Sequence, residues 1–260
     1  MTRAHQISSA LGDVRTRIAE AAARAGRSAD SVRLIAVSKK MPPEDVQAAL
    51  AAGQQDFGES YAQELRDKRA ALERAASGGG QSPAGPAGTP RRPRWHYLGP
   101  IQSNKVKYLA GQVELIQSLD DAAILAEIDR RMAPAATGGA PELETRRQGC
   151  LVQVNVAGEG RKGGVPPHRL GELLDHFVTS RHAVCLGLML IPPLSDDAGA
   201  TRRHFASLRT MAERQKMVAR PNVTLTELSM GMSSDFADAV AEGATMVRVG
   251  TAIFGARTPI

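Results

Sequence analysis

The sequence predicts a single (β/α)8 barrel, and three observations lead there. Eight short apolar runs recur along 260 residues, most of them separated by stretches of helical periodicity. The length fits one closed barrel without a second domain. Hydrophobic residues make up 42% of the chain and aromatic ones only 3%, a balance suited to Val, Ile, Leu and Ala packed between helices and a parallel sheet. A doubly wound open sheet is the runner-up, because periodicity cannot show closure.

The chain opens on MTRAHQISSALGDVRTRIAEAAARAG, where Leu11, Val14 and Ile18 fall on one face of an amphipathic helix. Its arginines and serines suggest a transit peptide, but Asp13 and Glu20 argue against one and no secretory apolar centre is present. The first strand is RLIAVS, ending at Ser38-Lys39, and PPEDVQAALAAG after it reads as a helix closed by glycine. DFGES, WHYLGP, VELIQSL, CLVQVNV, CLGLMLIP, TLTELSM and TMVRVGTAIFG supply strands two to eight. SDDAGATRRHFASLRTMAERQ and DFADAVAEGA are helices between the later ones. Residues 77–94 and 133–149 are rich in Gly, Pro, Ser and Ala and read as surface insertions in one domain spanning 1–260. Cys150 and Cys185 each open a strand, with no CxxC and no histidine at ligand spacing. Buried reduced thiols are expected, and neither a disulfide nor a metal site.

No apolar run is long enough to cross a bilayer, so a soluble, cytoplasmic protein is expected. The net charge of +6 raises nucleic acid as a partner. Most arginines, however, alternate with acids, as in ELRDKRAALERAA, which is the pattern of a solvated helix face. The one dense basic run, PRRPR at 90–94, has no interleaved aromatic residue for base stacking. The charge better suits a small phosphorylated ligand. GEGRKGG at 158–164 spells GxGxxG but meets Pro166-Pro167 where a long helix should open, and DFG at 56–58 lacks the other kinase motifs.

Ligands of such barrels sit at the C-terminal ends of the strands, and reading those ends gives a small set of candidates. Lys39 follows strand one, where desolvation can free an amine for Schiff-base chemistry, whereas Lys40 begins a loop. SMGMSSD after strand seven offers Gly231, Ser233 and Ser234 at a helix start, where free N–H groups bind phosphate. A serine there also serves as an ordinary cap. Gly250 and Thr251 after strand eight offer further amides. Arg248 lies within the apolar MVRVG and needs an acceptor, either an acid such as Glu227 or a ligand. His96 and the other histidines form no triad and no metal spacing.

AVSKK, FGESY, WHYLGPIQSNK, VQVNV, GLMLIPP, LSMGMSSDF and MVRVGTAIFGAR together resemble the pyridoxal phosphate homeostasis protein family, over nearly the whole chain apart from the two insertions. The resemblance implies a barrel related to that of alanine racemase, without a C-terminal β domain, that binds pyridoxal 5′-phosphate (PLP). By the same resemblance Lys39, which follows AVS, is the Schiff-base lysine. Ser233 and the Gly250-Thr251 backbone hold the phosphate, Arg248 meets the pyridine nitrogen, and Ser229 is a neighbour. An arginine there donates a hydrogen bond without giving up a proton, which leaves the ring a weaker electron sink. Two positions depart from the family pattern: Ser60 replaces its usual asparagine, and Lys40 replaces a small polar residue. The implied role is non-catalytic: buffering PLP or delivering it to PLP-dependent apo-enzymes, as a monomer or weak dimer. The alternative is an amino-acid racemase, which needs acid–base groups on both faces of its substrate. The residues offer Lys39, with Tyr61 as a conceivable partner, and the chain stops at GARTPI soon after strand eight.

Overall fold

In the computed structural model, residues 1–77, 92–133, 147–158, 163–193 and 197–256 are described. Eight strands form one closed parallel barrel: β1 (Arg33–Val37), β2 (Asp56–Glu59), β3 (Arg94–Tyr97), β4 (Leu115–Leu119), β5 (Gln148–Gln153), β6 (Ala183–Met189), β7 (Val223–Ser229) and β8 (Met246–Val249). Each pairs with the next in the chain, and β8 closes on β1 with Ile35 opposite Arg248. That closing pair decides between the barrel and the open sheet.

The side-chain alternation of each strand sorts the core into two parts. Ile35, Leu115, Leu151, Met189 and Met246 fill the lumen. Leu34, Ala36, Phe57, Trp95, Ile116, Cys150 and Val247 belong to the larger core between sheet and helices. Because both faces are covered, the strands read as near-continuous apolar runs.

Eight α-helices are described: α1 (Arg3–Arg24), α2 (Pro43–Ala51), α3 (Ala62–Ser77), α4 (Ala122–Met132), α5 (Leu170–His176), α6 (Ala198–Lys216), α7 (Phe236–Ala241) and α8 (Thr251–Phe254). Thr2 caps α1 by accepting the His5 N–H at 3.3 Å, and Ile7, Leu11, Val14 and Ile18 form its buried stripe. This helix packs on α2, α7 and α8. It therefore lies beside the β8–β1 seam, where the helix following β8 would belong, and α8 itself is only four residues long. Arg3 fastens the arrangement through Asp45 of α2 and, at 2.8 Å, the Phe254 carbonyl of α8.

Several expected boundaries move. Strand eight stops at Val249, and the apolar run continues as α8. Strands five and six open at Gln148 and Ala183, so Cys150 and Cys185 are their third residues, fully buried free thiols. Burial pushes both thiols up, Cys185 to about 12. Ser77 closes α3, Arg94 opens β3, and Gln148 and Gly149 open β5. These ends of the segments 77–94 and 133–149 belong to regular elements, and 78–91 and 134–146 lie outside the described residues. Arg94, counted in the basic run, is held by both oxygens of Asp56 at 3.0 and 2.6 Å. DFG is simply part of β2. Residues 159–162 of GEGRKGG lie outside the described residues.

Candidate cofactor-binding site

The exits of β7, β8 and β1 are adjacent by closure of the barrel, and five of the six residues that the family resemblance implies for the cofactor stand at the first two. Arg248 alternates with Met246 onto the lumen side of β8. Its Nη1 donates to Ser229 Oγ at 2.7 Å and its Nη2 to the Leu190 carbonyl at 2.8 Å. It is buried, which lowers its pKa to about 10, with Asp235 acting in the opposite direction. The strand-end acid Glu227 is not its partner in these bonds. That carboxylate accepts the Thr245 hydroxyl instead.

Ser229 ends β7 with its side chain fully buried. The SMGMSSD loop then folds back over β8: Gly231 accepts the Arg248 N–H at 2.9 Å, and Met232 N–H reaches Asp235 Oδ1. Gly231 has φ 93°, and a Cβ there would lie 2.6 Å from Ala239 Cβ, so glycine is required twice over. Ser233 Oγ accepts the Ala252 N–H at 3.4 Å, which brings its hydroxyl to the turn made by Gly250 and Thr251. Ile253 and Phe254 donate to the Gly250 carbonyl at 2.9 Å, leaving the start of the turn at the barrel mouth. Ser233 and Gly250 are half-buried and Thr251 is exposed.

Lys39 lies in the turn after β1, on the strand next to β8, and is half-buried. It stands two residues beyond Val37, the last residue of β1. The residues on both sides of it are pinned. Ser38 N–H donates to Gly58 at 3.0 Å, and its hydroxyl donates to Glu59 Oε1 at 2.7 Å. Lys68 of α3 donates to the Ser38 carbonyl at 2.8 Å, to Glu59 at 2.6 Å and to Glu64 at 3.0 Å. Lys40, exposed and with φ 62°, donates its N–H to Glu64 at 2.6 Å. The fold thus distinguishes the two adjacent lysines: Lys39 is half-buried, and Lys40 is exposed in a left-handed conformation.

Glu64 and Lys68 belong to ELRDKRAALERAA, expected as a solvated helix face, but Lys68 is buried against Glu59 because the start of α3 covers the turn after β1; Glu59 was not singled out. The i,i+4 spacing of Glu64 and Lys68 was a signal, but nothing local said that this pair faces the turn after β1. Ser118 and Gln117 were not singled out either, and His96 was read only as belonging to no triad and no metal spacing; all three are buried. Ser229 Oγ donates to Gln117 Oε1 at 2.6 Å. At position 60, where the family pattern has asparagine, the Ser60 carbonyl accepts the Tyr97 hydroxyl at 3.3 Å. The donor set is a primary amine, a guanidinium, a hydroxyl and the backbone of a turn. It has the chemistry to hold a phosphate and to meet an aldehyde-bearing ring. Among the described residues no group of His, Cys, Asp and Glu is arranged to hold a metal ion.

A barrel of eight parallel strands closed on itself, with a lysine and a serine-backed turn at adjoining strand exits, fits the class of single-barrel, alanine racemase-like proteins. Residues 10–258 match the family described as alanine racemase, N-terminal domain. Within that class the chain belongs to the pyridoxal phosphate homeostasis protein family. It is 38% identical to the pyridoxal phosphate homeostasis protein of Aquifex aeolicus, covering 95% of this chain and 96% of that one. It is 39% identical to the one from Pseudomonas aeruginosa, with coverage of 95% and 94%. The structure of PipY from Synechococcus elongatus, solved with PLP bound, superposes with a TM-score of 0.76 at 34% identity, covering 96% of this chain and all of that one.

Proposed function

We propose that this protein binds PLP without catalysing a reaction on it and takes part in intracellular PLP homeostasis, buffering the cofactor or delivering it to PLP-dependent apo-enzymes. The observation that carries the reading is the convergence of Lys39, Arg248 and the Ser233–Gly250–Thr251 turn at adjoining strand exits. When bound, PLP supplies an aldehyde that an amine can capture and an electron-withdrawing ring. Lys39 is the amine that attaches it. Ser233 and the backbone of Gly250 and Thr251 hold the phosphate, Arg248 donates to the ring nitrogen, and Ser229 orients Arg248. The relatives are named for PLP homeostasis, and one structural relative holds PLP.

A non-catalytic role agrees with the tyrosines. Two-base racemisation needs a second group opposite the lysine. The Tyr97 hydroxyl already donates toward the Ser60 and Pro100 carbonyls at 3.3 and 3.1 Å, and burial raises its pKa to about 12. Tyr61 is about half exposed. Among the described residues no helix is long and apolar enough to cross a membrane, and the proposed setting is the cytoplasm, with the chain as a monomer or weak dimer. Its single domain spans 1–260, with surface insertions inside 77–94 and 133–149.

The test is the visible absorbance of purified protein with PLP, before and after borohydride, in the wild type and Lys39→Ala. The expected result is a yellow wild type that borohydride converts to a permanent adduct on Lys39, and a mutant that gives none. A wild type that stays colourless with added PLP overturns the reading. Steady racemisation above a heat-killed control, lost in Lys39→Ala, would replace it with the racemase.

A further inference from the structure

Five buried side chains form a continuous hydrogen-bonded line through the barrel lumen, from the ligand end to the opposite mouth. Arg248 Nη1 meets Ser229 Oγ at 2.7 Å, Ser229 Oγ meets Gln117 Oε1 at 2.6 Å, Gln117 Nε2 meets His96 Nδ1 at 3.0 Å, and His96 Nε2 meets Asp56 Oδ1 at 3.0 Å. Each of the five is 5% exposed or less. At the far end Arg94 grips both oxygens of Asp56.

The ends of the line set a donor at one side and an acceptor at the other. Arg248 can only donate, and an ionised carboxylate can only accept. Burial opposes ionisation of Asp56, but hydrogen bonds from His96 and Arg94 outweigh it and its pKa is lowered. Against that carboxylate His96 donates through Nε2, and a ring carrying only that proton accepts from Gln117 at Nδ1. The Gln117 oxygen is then turned to Ser229, whose only proton goes there, and the Ser229 oxygen is left to receive Arg248. Every donor along the line points away from the ligand end.

We propose that Gln117 and His96 are positioning residues for the cofactor site: they commit the Ser229 proton inward, which fixes the hydroxyl rotor with its lone pairs toward Arg248 and holds the guanidinium in one plane. This rests on the PLP-binding reading. Its consequence is that the ring nitrogen meets a charged donor of fixed orientation, with no neighbouring hydroxyl proton to compete for it. A reversed line would turn the Gln117 amide nitrogen on Ser229 and release that proton toward the ligand.

Histidine 15N NMR on the apo protein reads the direction without any cofactor. The expected signal for His96 is a neutral ring protonated at Nε2. In Gln117→Glu the carboxylate still accepts from Ser229 but faces His96 with a second acceptor, so His96 becomes doubly protonated while the bound-PLP absorbance band stays at the wild-type position. Gln117→Leu and Ser229→Ala each weaken PLP binding about tenfold, the scale of one lost bond to a charged group. Both also move the band, while borohydride at saturating PLP still labels Lys39 and circular dichroism is unchanged. If Gln117→Leu does not fold, the smaller Ser229→Ala change decides. A proton on His96 Nδ1, or Gln117→Leu and Ser229→Ala with wild-type affinity and band, overturns the proposal. A wild type that takes up no PLP sinks the functional reading, and the His96 proton alone then judges the line.

Discussion

At the scale of single residues, the turn carrying Lys39 is held by one ammonium shared among three acceptors. Lys68 is almost fully buried, and Glu59 beside it is completely so, with its Oε2 lacking a hydrogen-bond partner among the described residues. Burial raises the Glu59 pKa, against the opposing pull of Lys68 and Ser38. Lys68→Ala would strand that carboxylate and release the Ser38 carbonyl. The expected cost is about 3–5 kcal/mol, read from the urea midpoint, together with weakened PLP retention. An unmoved midpoint would mean that the pair contributes nothing. The neighbouring Lys40 gives the contrast. Its left-handed backbone strains any side chain, so Lys40→Gly should leave stability unchanged or raise it by up to about 1 kcal/mol. It should also keep the borohydride adduct on Lys39. Loss of the adduct in this variant would assign the attachment to the wrong lysine. These roles were only half legible in the sequence. The apolar run ending at Lys39 pointed to an amine at a strand exit, but the support of its turn by α3 depends on a contact across 30 residues of chain between Ser38 and Lys68, which no local pattern encodes.

At the scale of elements, the strands that deliver the site are set by close backbone approach. Gly187 of β6 pairs with Glu227 of β7 beside a register shift, and a Cβ there would sit 1.8 Å from the Glu227 carbonyl oxygen. Gly187→Ala must push β7 away, and β7 ends on Ser229. A loss of about 3 kcal/mol is expected, measurable by thermal melting as a large drop in Tm. Gly12, on the exposed side of α1 with nothing within 4 Å of its would-be Cβ, should respond oppositely. Gly12→Ala is expected to stabilise by about 0.5–1 kcal/mol, and a destabilised variant would show that α1 is not the continuous helix described. The types and order of these elements were readable from periodicity. Their ends were not, because TAIF is as apolar as a strand and becomes a helical turn only where the chain leaves β8.

At the scale of the molecule, the N-terminal helix completes the barrel that the last strand leaves uncovered. Removing residues 1–24 would expose the stripe of Ile7, Leu11, Val14 and Ile18 and the surface it covers. The truncated chain should bind a hydrophobic dye and lose cooperative unfolding; a cooperative, dye-negative truncation would refute the role of α1. The lumen line adds a pH dependence. The folded Asp56 pKa lies below its ordinary 3.8, so its contribution is fully present above that value and is lost as pH falls through the depressed folded pKa. Asp56→Asn should be less stable at neutral pH and decline less steeply below pH 3.8, as followed by urea midpoints. Parallel declines in the two proteins would assign the acid loss elsewhere.

The sequence by itself determined the alternation of strands with helices and the family, and it singled out a candidate lysine at the first strand exit, because strand and helix periodicities and the residues at strand exits are local properties of the chain. It also pointed to Arg248 as a buried cation in need of an acceptor. Only the tertiary structure decided which acceptor that is. Ser229, Gln117, His96 and Asp56 stand on four other strands, and they meet because closing eight parallel strands turns their inward side chains toward one axis. Hydrogen bonds across that axis depend on register and closure, and neither is written in any one segment.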